Sequence, residues 1–140
     1  MMRVERYVTA DAADRVLRPG DILGMTGFMS KKVARVGVCV SSGKIAMGPG
    51  YGVISIDDVL AGSLHRWRRY HIYNLDRDVN FDYADLVKLA HELVKERFTD
   101  AQIISRIWSA LGVTDDTYQT ASDVIGSHVL RRNFFTIKKA

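Results

Sequence analysis

The spacing of apolar side chains changes near Asp82, and this change limits the chain to folds that combine a sheet with helices. Before Asp82, apolar residues alternate with polar or small ones, most clearly over residues 33–40, which is the period of a half-buried strand. After it, apolar residues recur every three or four positions over residues 82–97, which is the period of an amphipathic helix. We therefore predict an α+β fold, with a small antiparallel sheet or half-barrel packed against about three helices.

Turn and capping residues divide the rest of the chain into further elements. Strands are predicted from residue 22 onward and over residues 33–40, 44–47, 51–56, 66–75 and 133–137. Helices are predicted over residues 10–17 and 82–97, from a capping box at Thr99 and Gln102 to Gly112, and over residues 121–129, with one further helical turn capped by Asp57 and Asp58. No repeat or linker separates these elements, so we expect a single domain over residues 1–140.

Composition restricts the classes of protein to which the chain can belong. With 140 residues, 47% of them hydrophobic, the chain is long enough for one domain with a sizeable core. A net charge of +4 favours an acidic partner only weakly. The single cysteine excludes an internal disulfide, and the four histidines lack metal-ligand spacing, so we predict no metal site and no cofactor. The charged N-terminal segment and the lack of a long apolar run predict synthesis in the cytoplasm and no membrane span.

Three short motifs carry a resemblance to a known family. Gly20-Asp21 precedes a strand, Val36-Gly37-Val38 lies within the next strand, and residues 121–125 read Ala-Ser-Asp-Val-Ile at the start of a late helix. Together they resemble the circularly permuted NlpC/P60 class of papain-like cysteine hydrolases. The resemblance implies a permuted papain-like fold, in which a His opens the second strand, a polar group follows, and a Cys opens the late helix.

The three catalytic positions of that class are occupied here by unreactive residues. Arg35 stands in the place of the His, Met47 in the place of the third member, and Ala121 in the place of the nucleophile. Attack by a thiolate needs a sulfur, a base that deprotonates it and a group that orients the base. A guanidinium remains protonated at neutral pH and a methyl group cannot attack a carbonyl, so we predict that the chain is not an enzyme of this class.

The resemblance then implies a non-catalytic domain that acts as a binding or structural assembly module. Arg35 is predicted to be either a partner contact or a structural cation at the mouth of the former cleft, with Tyr51, Ser122 and Asp123 as its neighbours. The predicted partners are other protein chains within an assembly. Proteins similar to this class include tail and virion components of bacteriophages, and a member without an export signal suits a virion location.

An active hydrolase of peptide, amide or ester bonds with a rearranged site is the first alternative. Cys39 lies by alternation on the same strand face as Arg35, and a neighbouring cation would lower the pKa of its thiol. A serine triad of Ser122, Asp123 and His128 is not favoured, because positions six residues apart on one helix are separated by about 240 degrees.

A small basic nucleic-acid-binding protein is the second alternative. Residues 65–71 mix cations with aromatic side chains, as nucleic-acid surfaces do. This interpretation is less favoured, because a strand with one exposed face often carries arginines for solvation alone.

Overall fold

The computed structural model describes residues 5–138, except for the side chain of Glu5, and it has an α+β fold. The strands within these residues are β1 (Glu5–Thr9), β2 (Ile22–Thr26), β3 (Val33–Ser41), β4 (Lys44–Ala46), β5 (Val53–Ser55), β6 (Arg69–Leu75) and β7 (Leu130–Lys138). The helices are α1 (Ala13–Val16), preceded by a 3-10 turn at Ala10–Ala12, then α2 (Ile56–Ala61), α3 (Tyr83–Lys95), α4 (Asp100–Ala110) and α5 (Ala121–Ile125).

All of these strands belong to one mixed sheet with the order β1-β7-β6-β2-β3-β4-β5. Neighbouring strands pair antiparallel, except that β1 and β7 run parallel. The predicted fold class, a sheet packed against helices, is confirmed. Strand β1 was not predicted. No local pattern marks it, because it is defined by its pairing with β7 at the other end of the described chain.

The sheet separates two apolar cores. Val36, Val38 and Val40 face one core, to which α3, α4 and α5 contribute their apolar sides. Cys39 faces the other core, to which α1 and α2 contribute. The predicted alternation along β3 is therefore confirmed, and the strand is buried on both faces from Val36 to Val40.

Local signals place most helix starts correctly, but one predicted cap and one predicted helix end are wrong. The predicted capping box of Thr99 and Gln102 is present at α4. Ser55 caps α2 by accepting a hydrogen bond from the amide of Asp58, so the prediction that two aspartates cap this turn is wrong. The helix predicted over residues 121–129 is too long, because α5 ends at Ile125 and pairing with β6 holds the chain as a strand from residue 130.

The Gly20-Asp21 pair forms a corner that ties β2 to β6. A Cβ at Gly20, whose φ is +93°, would lie 2.6 Å from Leu75 Cδ1, so a larger residue would require movement. The buried Asp21 carboxylate accepts hydrogen bonds from the amides of Arg18 and Leu75, each at 2.8 Å, and from Asn74 Nδ2 at 2.7 Å. Burial raises the pKa of Asp21 above its ordinary value, although these donors oppose the shift. The fold therefore explains why Gly and Asp stand at positions 20 and 21.

Candidate functional site

The Arg35 side chain forms a two-point ion pair with Asp100. Arg35 Nε donates to Asp100 Oδ2 at 2.6 Å, and Nη2 donates to Oδ1 at 2.9 Å. The carboxylate also accepts from the Gly48 amide at 2.6 Å and, at 3.4 Å, from the Val36 amide. Parallel charge-assisted bonds of this kind are among the stronger polar contacts in proteins, so the pair fixes β3 against the start of α4.

Local structure brings the two charged groups together. On the β4 side, β3 is paired only as far as Val38, so Arg35 lies beyond the end of β4 and its side chain reaches past Gly48. Asp100 is the first residue of α4, where the helix dipole favours a carboxylate. A Cβ at Gly48 would lie 2.9 Å from Asp100 Oδ1 and 3.0 Å from its amide nitrogen, so this close approach requires a glycine.

Two aromatic residues extend the site from Arg35. The guanidinium carbon lies 5.0 Å from the centre of the Tyr51 ring, within the range of a cation–π contact. Trp67 Nε1 donates to the Tyr51 hydroxyl at 2.9 Å, and Arg35 Nη2 donates to the Pro49 carbonyl at 3.4 Å. Hydrogen bonds to Asp100 raise the pKa of Arg35 above its ordinary value, with partial burial opposing the shift. The guanidinium therefore stays charged and cannot act as a base.

Met47 and Ala121, two of the three positions assigned to the triad, pack into cores on opposite faces of the sheet. Met47 is fully buried in the core beside α1 and α2. Ala121 packs against the core on the opposite face of the sheet. The group that faces Arg35 is instead the Asp100 carboxylate, which no sequence motif marked as a site residue. No local spacing links Arg35 to Asp100, so only their contact across the fold identifies the pair.

The four predicted binding residues divide into two groups. Arg35 and Tyr51 lie together, as described above. Asp123 takes part in the capping box of α5, where its carboxylate accepts hydrogen bonds from the two amides that precede the helix. Ser122 is exposed in the first turn of the same helix. The contacts described for the Arg35 side chain include neither Ser122 nor Asp123, so a shared binding role for all four residues stays a prediction.

Cys39 does not have the environment of an activated thiol. Its side chain is fully buried, and its sulfur lies 3.2 Å from the Ser41 carbonyl oxygen. Burial raises the pKa of the Cys39 thiol to about 12, and repulsion by Asp21 acts in the same direction. The expectation that a neighbouring cation lowers this pKa is therefore wrong, because burial sets the direction of the shift.

The basic and aromatic segment at residues 65–71 has its aromatic rings engaged within the fold. The Trp67 indole bonds to Tyr51, and the buried Tyr70 hydroxyl donates to the Val59 carbonyl at 3.0 Å. The arginines at 66, 68 and 69 remain exposed. Stacking on single-stranded bases needs free ring faces, so this arrangement gives little support to the nucleic-acid alternative.

Residues 5–138 contain neither a cluster of metal ligands nor a helix suited to a membrane. No group of three or more His, Cys, Asp or Glu side chains there is arranged to hold a metal ion. None of the helices in the same part of the chain combines the length and apolar character needed to cross a bilayer.

Comparison with known proteins gives no match: no family model fits the sequence, and neither the curated proteins nor the solved structures contain a significant relative.

Proposed function

We propose that this chain is a non-catalytic papain-like domain that binds other protein chains within an assembly. The observation that carries the proposal is the ion pair between Arg35 and Asp100. In the class that the sequence resembles, a base opens the second strand and a nucleophile opens a late helix. Arg35, at the position that the resemblance gives to the base, lies near the start of β3 and is bonded to Asp100 at the start of α4, so an ion pair stands where a base would act.

An ion pair between these elements stabilises the fold and performs no covalent chemistry. The Asp100 carboxylate accepts hydrogen bonds from one guanidinium and from backbone amides, which occupy its lone pairs. A nucleophile or base needs an available lone pair and a neighbour that can take up a proton. Arg35 cannot take up a proton, so the pair lacks both requirements.

An exposed apolar tip next to this pair supports a protein partner. Met29 is 98% exposed and Phe28 is 62% exposed, in the loop between β2 and β3. The loop adjoins Trp67, since a Cβ at Gly27 would contact the Trp67 ring at 3.9 Å, and Trp67 bonds to Tyr51. Large apolar and aromatic side chains that are exposed together are typical of protein-binding surfaces. Membership of a bacteriophage virion or tail rests on the resemblance and stays a prediction.

We predict that this apolar tip anchors the chain in its native assembly. The double variant Phe28→Ser with Met29→Ser should leave the complex, because it removes the apolar anchors without disturbing a core. Tyr83→Ser, which changes an exposed aromatic residue at the start of α3, is the matched control and should stay bound. The measurement is size-exclusion chromatography of extracts from the native source, followed by mass spectrometry of the complex. A wild-type chain that elutes as a free monomer would contradict the proposal.

The lack of catalysis can be tested directly. We expect no hydrolysis of peptide, amide or ester substrates, and slow modification of Cys39 by a thiol reagent at pH 8, because a thiol with a pKa of about 12 is protonated there and is also buried. The same reagent should label Cys39 rapidly in denaturant, which serves as the control. Turnover that disappears in Cys39→Ser or Asp100→Asn would refute the non-catalytic role.

A further inference from the structure

A cavity of about 420 Å³ lies against the sheet, and neither Arg35 nor Asp100 lines it. Strands β2, β3, β6 and β7 and the loop after β2 contribute side chains to it. Its volume falls within the range of small-molecule sites and is too small for a folded partner. The cavity therefore suits a small ligand.

The rim of this cavity carries three cations. Lys31, Arg68 and Arg69 line it, and all three are exposed. Within the part of the chain that the structure describes, none of them forms an ion pair, and no carboxylate lines the cavity beside them. Three positive charges without internal compensation make the cavity attractive to an anion.

A buried hydroxyl beside the cations lacks a partner. Thr26 lines the cavity and is 2% exposed, and its Oγ1 is the one buried side-chain nitrogen or oxygen in residues 5–138 without a hydrogen bond. Buried polar groups are normally paired, and an exception calls for a physical reason. A ligand in the cavity is one such reason, because it can supply the missing partner.

Aromatic rings form an apolar wall of the same cavity. Phe134 stacks on Tyr73 with ring centres 5.4 Å apart and an interplanar angle of 20°. Both residues line the cavity, as does His71, whose ring meets Phe134 edge-on at 5.6 Å. A planar organic group can contact this wall while its anionic group remains at the cationic rim.

We propose that the cavity binds a small phosphate monoester whose alcohol part carries an aromatic or heteroaromatic ring. A phosphate monoester carries close to two negative charges at pH 7, which matches a rim of three cations. Arginine offers parallel donors that fit two phosphate oxygens, and lysine adds a point charge. This site goes beyond the protein-binding role and does not depend on it, since other side chains form it.

Isothermal titration calorimetry at fixed ionic strength tests the proposal with three soluble probes: inorganic phosphate, phenyl phosphate and adenosine 5′-monophosphate. We expect both esters to bind more tightly than inorganic phosphate, because only the esters contact the aromatic wall. Arg68→Gln and Arg69→Gln should each weaken ester binding by about tenfold or more, the effect of losing a charge-assisted hydrogen bond. Arg66→Gln changes a neighbouring exposed arginine that does not line the cavity, and it should leave the affinity unchanged.

Thr26→Val separates a ligand-binding role from a structural one. The valine has a similar shape but no hydroxyl, so we expect weaker ester binding with an unchanged or higher thermal unfolding midpoint. Ester binding equal to wild type in Thr26→Val would contradict the role of this hydroxyl, and equal losses in Arg66→Gln and Arg68→Gln would indicate general charge attraction instead of a site.

Two further binding experiments test whether the phosphate belongs to a lipid or to a nucleic acid. Vesicles containing phosphatidic acid test a lipid headgroup, and a single-stranded DNA oligonucleotide tests a nucleic-acid backbone. Binding to either of these without binding of phenyl phosphate or adenosine 5′-monophosphate would overturn the proposal. Binding of the soluble esters, with the sensitivity to Arg68 and Arg69 described above, supports it.

Discussion

Two cationic regions of this protein differ in whether their charges are paired. Arg35 is bonded at two points to Asp100, and backbone amides complete the surroundings of the carboxylate. Lys31, Arg68 and Arg69 line a cavity and have no acidic partner among residues 5–138. A charge that is compensated within the chain therefore contributes to the fold, whereas an uncompensated cluster is available to a ligand.

The degree of burial gives the two regions different energetic roles. The side chains of Arg35 and Asp100 are 28% and 12% exposed, so each has lost much of its hydration and depends on the other. The arginines at the cavity keep their hydration and give little to stability when no ligand is bound. Removal of a partner should therefore be costly in the first region and nearly neutral in the second.

Asp100→Ala should destabilise the protein more than any other change proposed for these regions. It leaves a partly buried guanidinium and the Gly48 amide without their acceptor, so we expect the free energy of unfolding to fall by about 3 kcal/mol. Urea denaturation measures this change. Asp116→Ala, at an exposed loop residue, is the control, and its free energy of unfolding should stay within about 0.5 kcal/mol of wild type. A loss below about 1 kcal/mol would mean that the pair behaves as a surface salt bridge.

Gly48→Ala should follow in the size of its effect. The new methyl group would lie 2.9 Å from the Asp100 carboxylate and 3.0 Å from the Phe98 carbonyl oxygen, so we expect a cost of about 2 kcal/mol from the forced separation. Gly27→Ala is the matched control, because its added Cβ makes only an ordinary contact with Trp67 at 3.9 Å. Equal thermal unfolding midpoints for the two variants would contradict the close approach.

Thr26→Val is expected to act in the opposite direction. Removing a buried hydroxyl that has no partner should raise the free energy of unfolding by up to about 1 kcal/mol in the absence of ligand. Thr136→Val is the comparison, since the Thr136 hydroxyl contacts His71 Nδ1 at 3.0 Å and its loss should destabilise the protein. Chemical denaturation of both variants distinguishes the unpaired hydroxyl from the paired one. If Thr26→Val and Thr136→Val lost similar amounts of stability, the Thr26 hydroxyl would not be unpaired.

Arg69→Gln should change stability least. We expect a change within about 0.5 kcal/mol, because the side chain is exposed and pairs with no acid in the described residues. The same substitution at Arg35 should cost about 2 kcal/mol, because it removes a partner of Asp100. Urea denaturation of the two variants measures the effect of the same substitution in each region. Similar losses of stability at both positions would show that the two regions do not differ.

Much of the fold could be predicted from the sequence because short-range patterns carry the information. The helical period after Asp82, the alternation along β3 and the capping box at Thr99 all matched the structure. β1 was missed, since its parallel partner β7 lies at the other end of the chain. The candidate site was predicted only in part: Arg35 and Tyr51 are neighbours, but Asp100 is separated from Arg35 by 65 positions.

The placement of strands and helices follows from the order of residues, because burying one face of an element imposes a period that can be read locally. The assignment of Ala121, Arg35 and Met47 to a thiol, its base and its third member rests on the resemblance alone and stays a prediction. Which cations are neutralised is settled only by packing. Charge pairing depends on distances between residues far apart in the chain, and those distances exist only once the sheet and helices have come together.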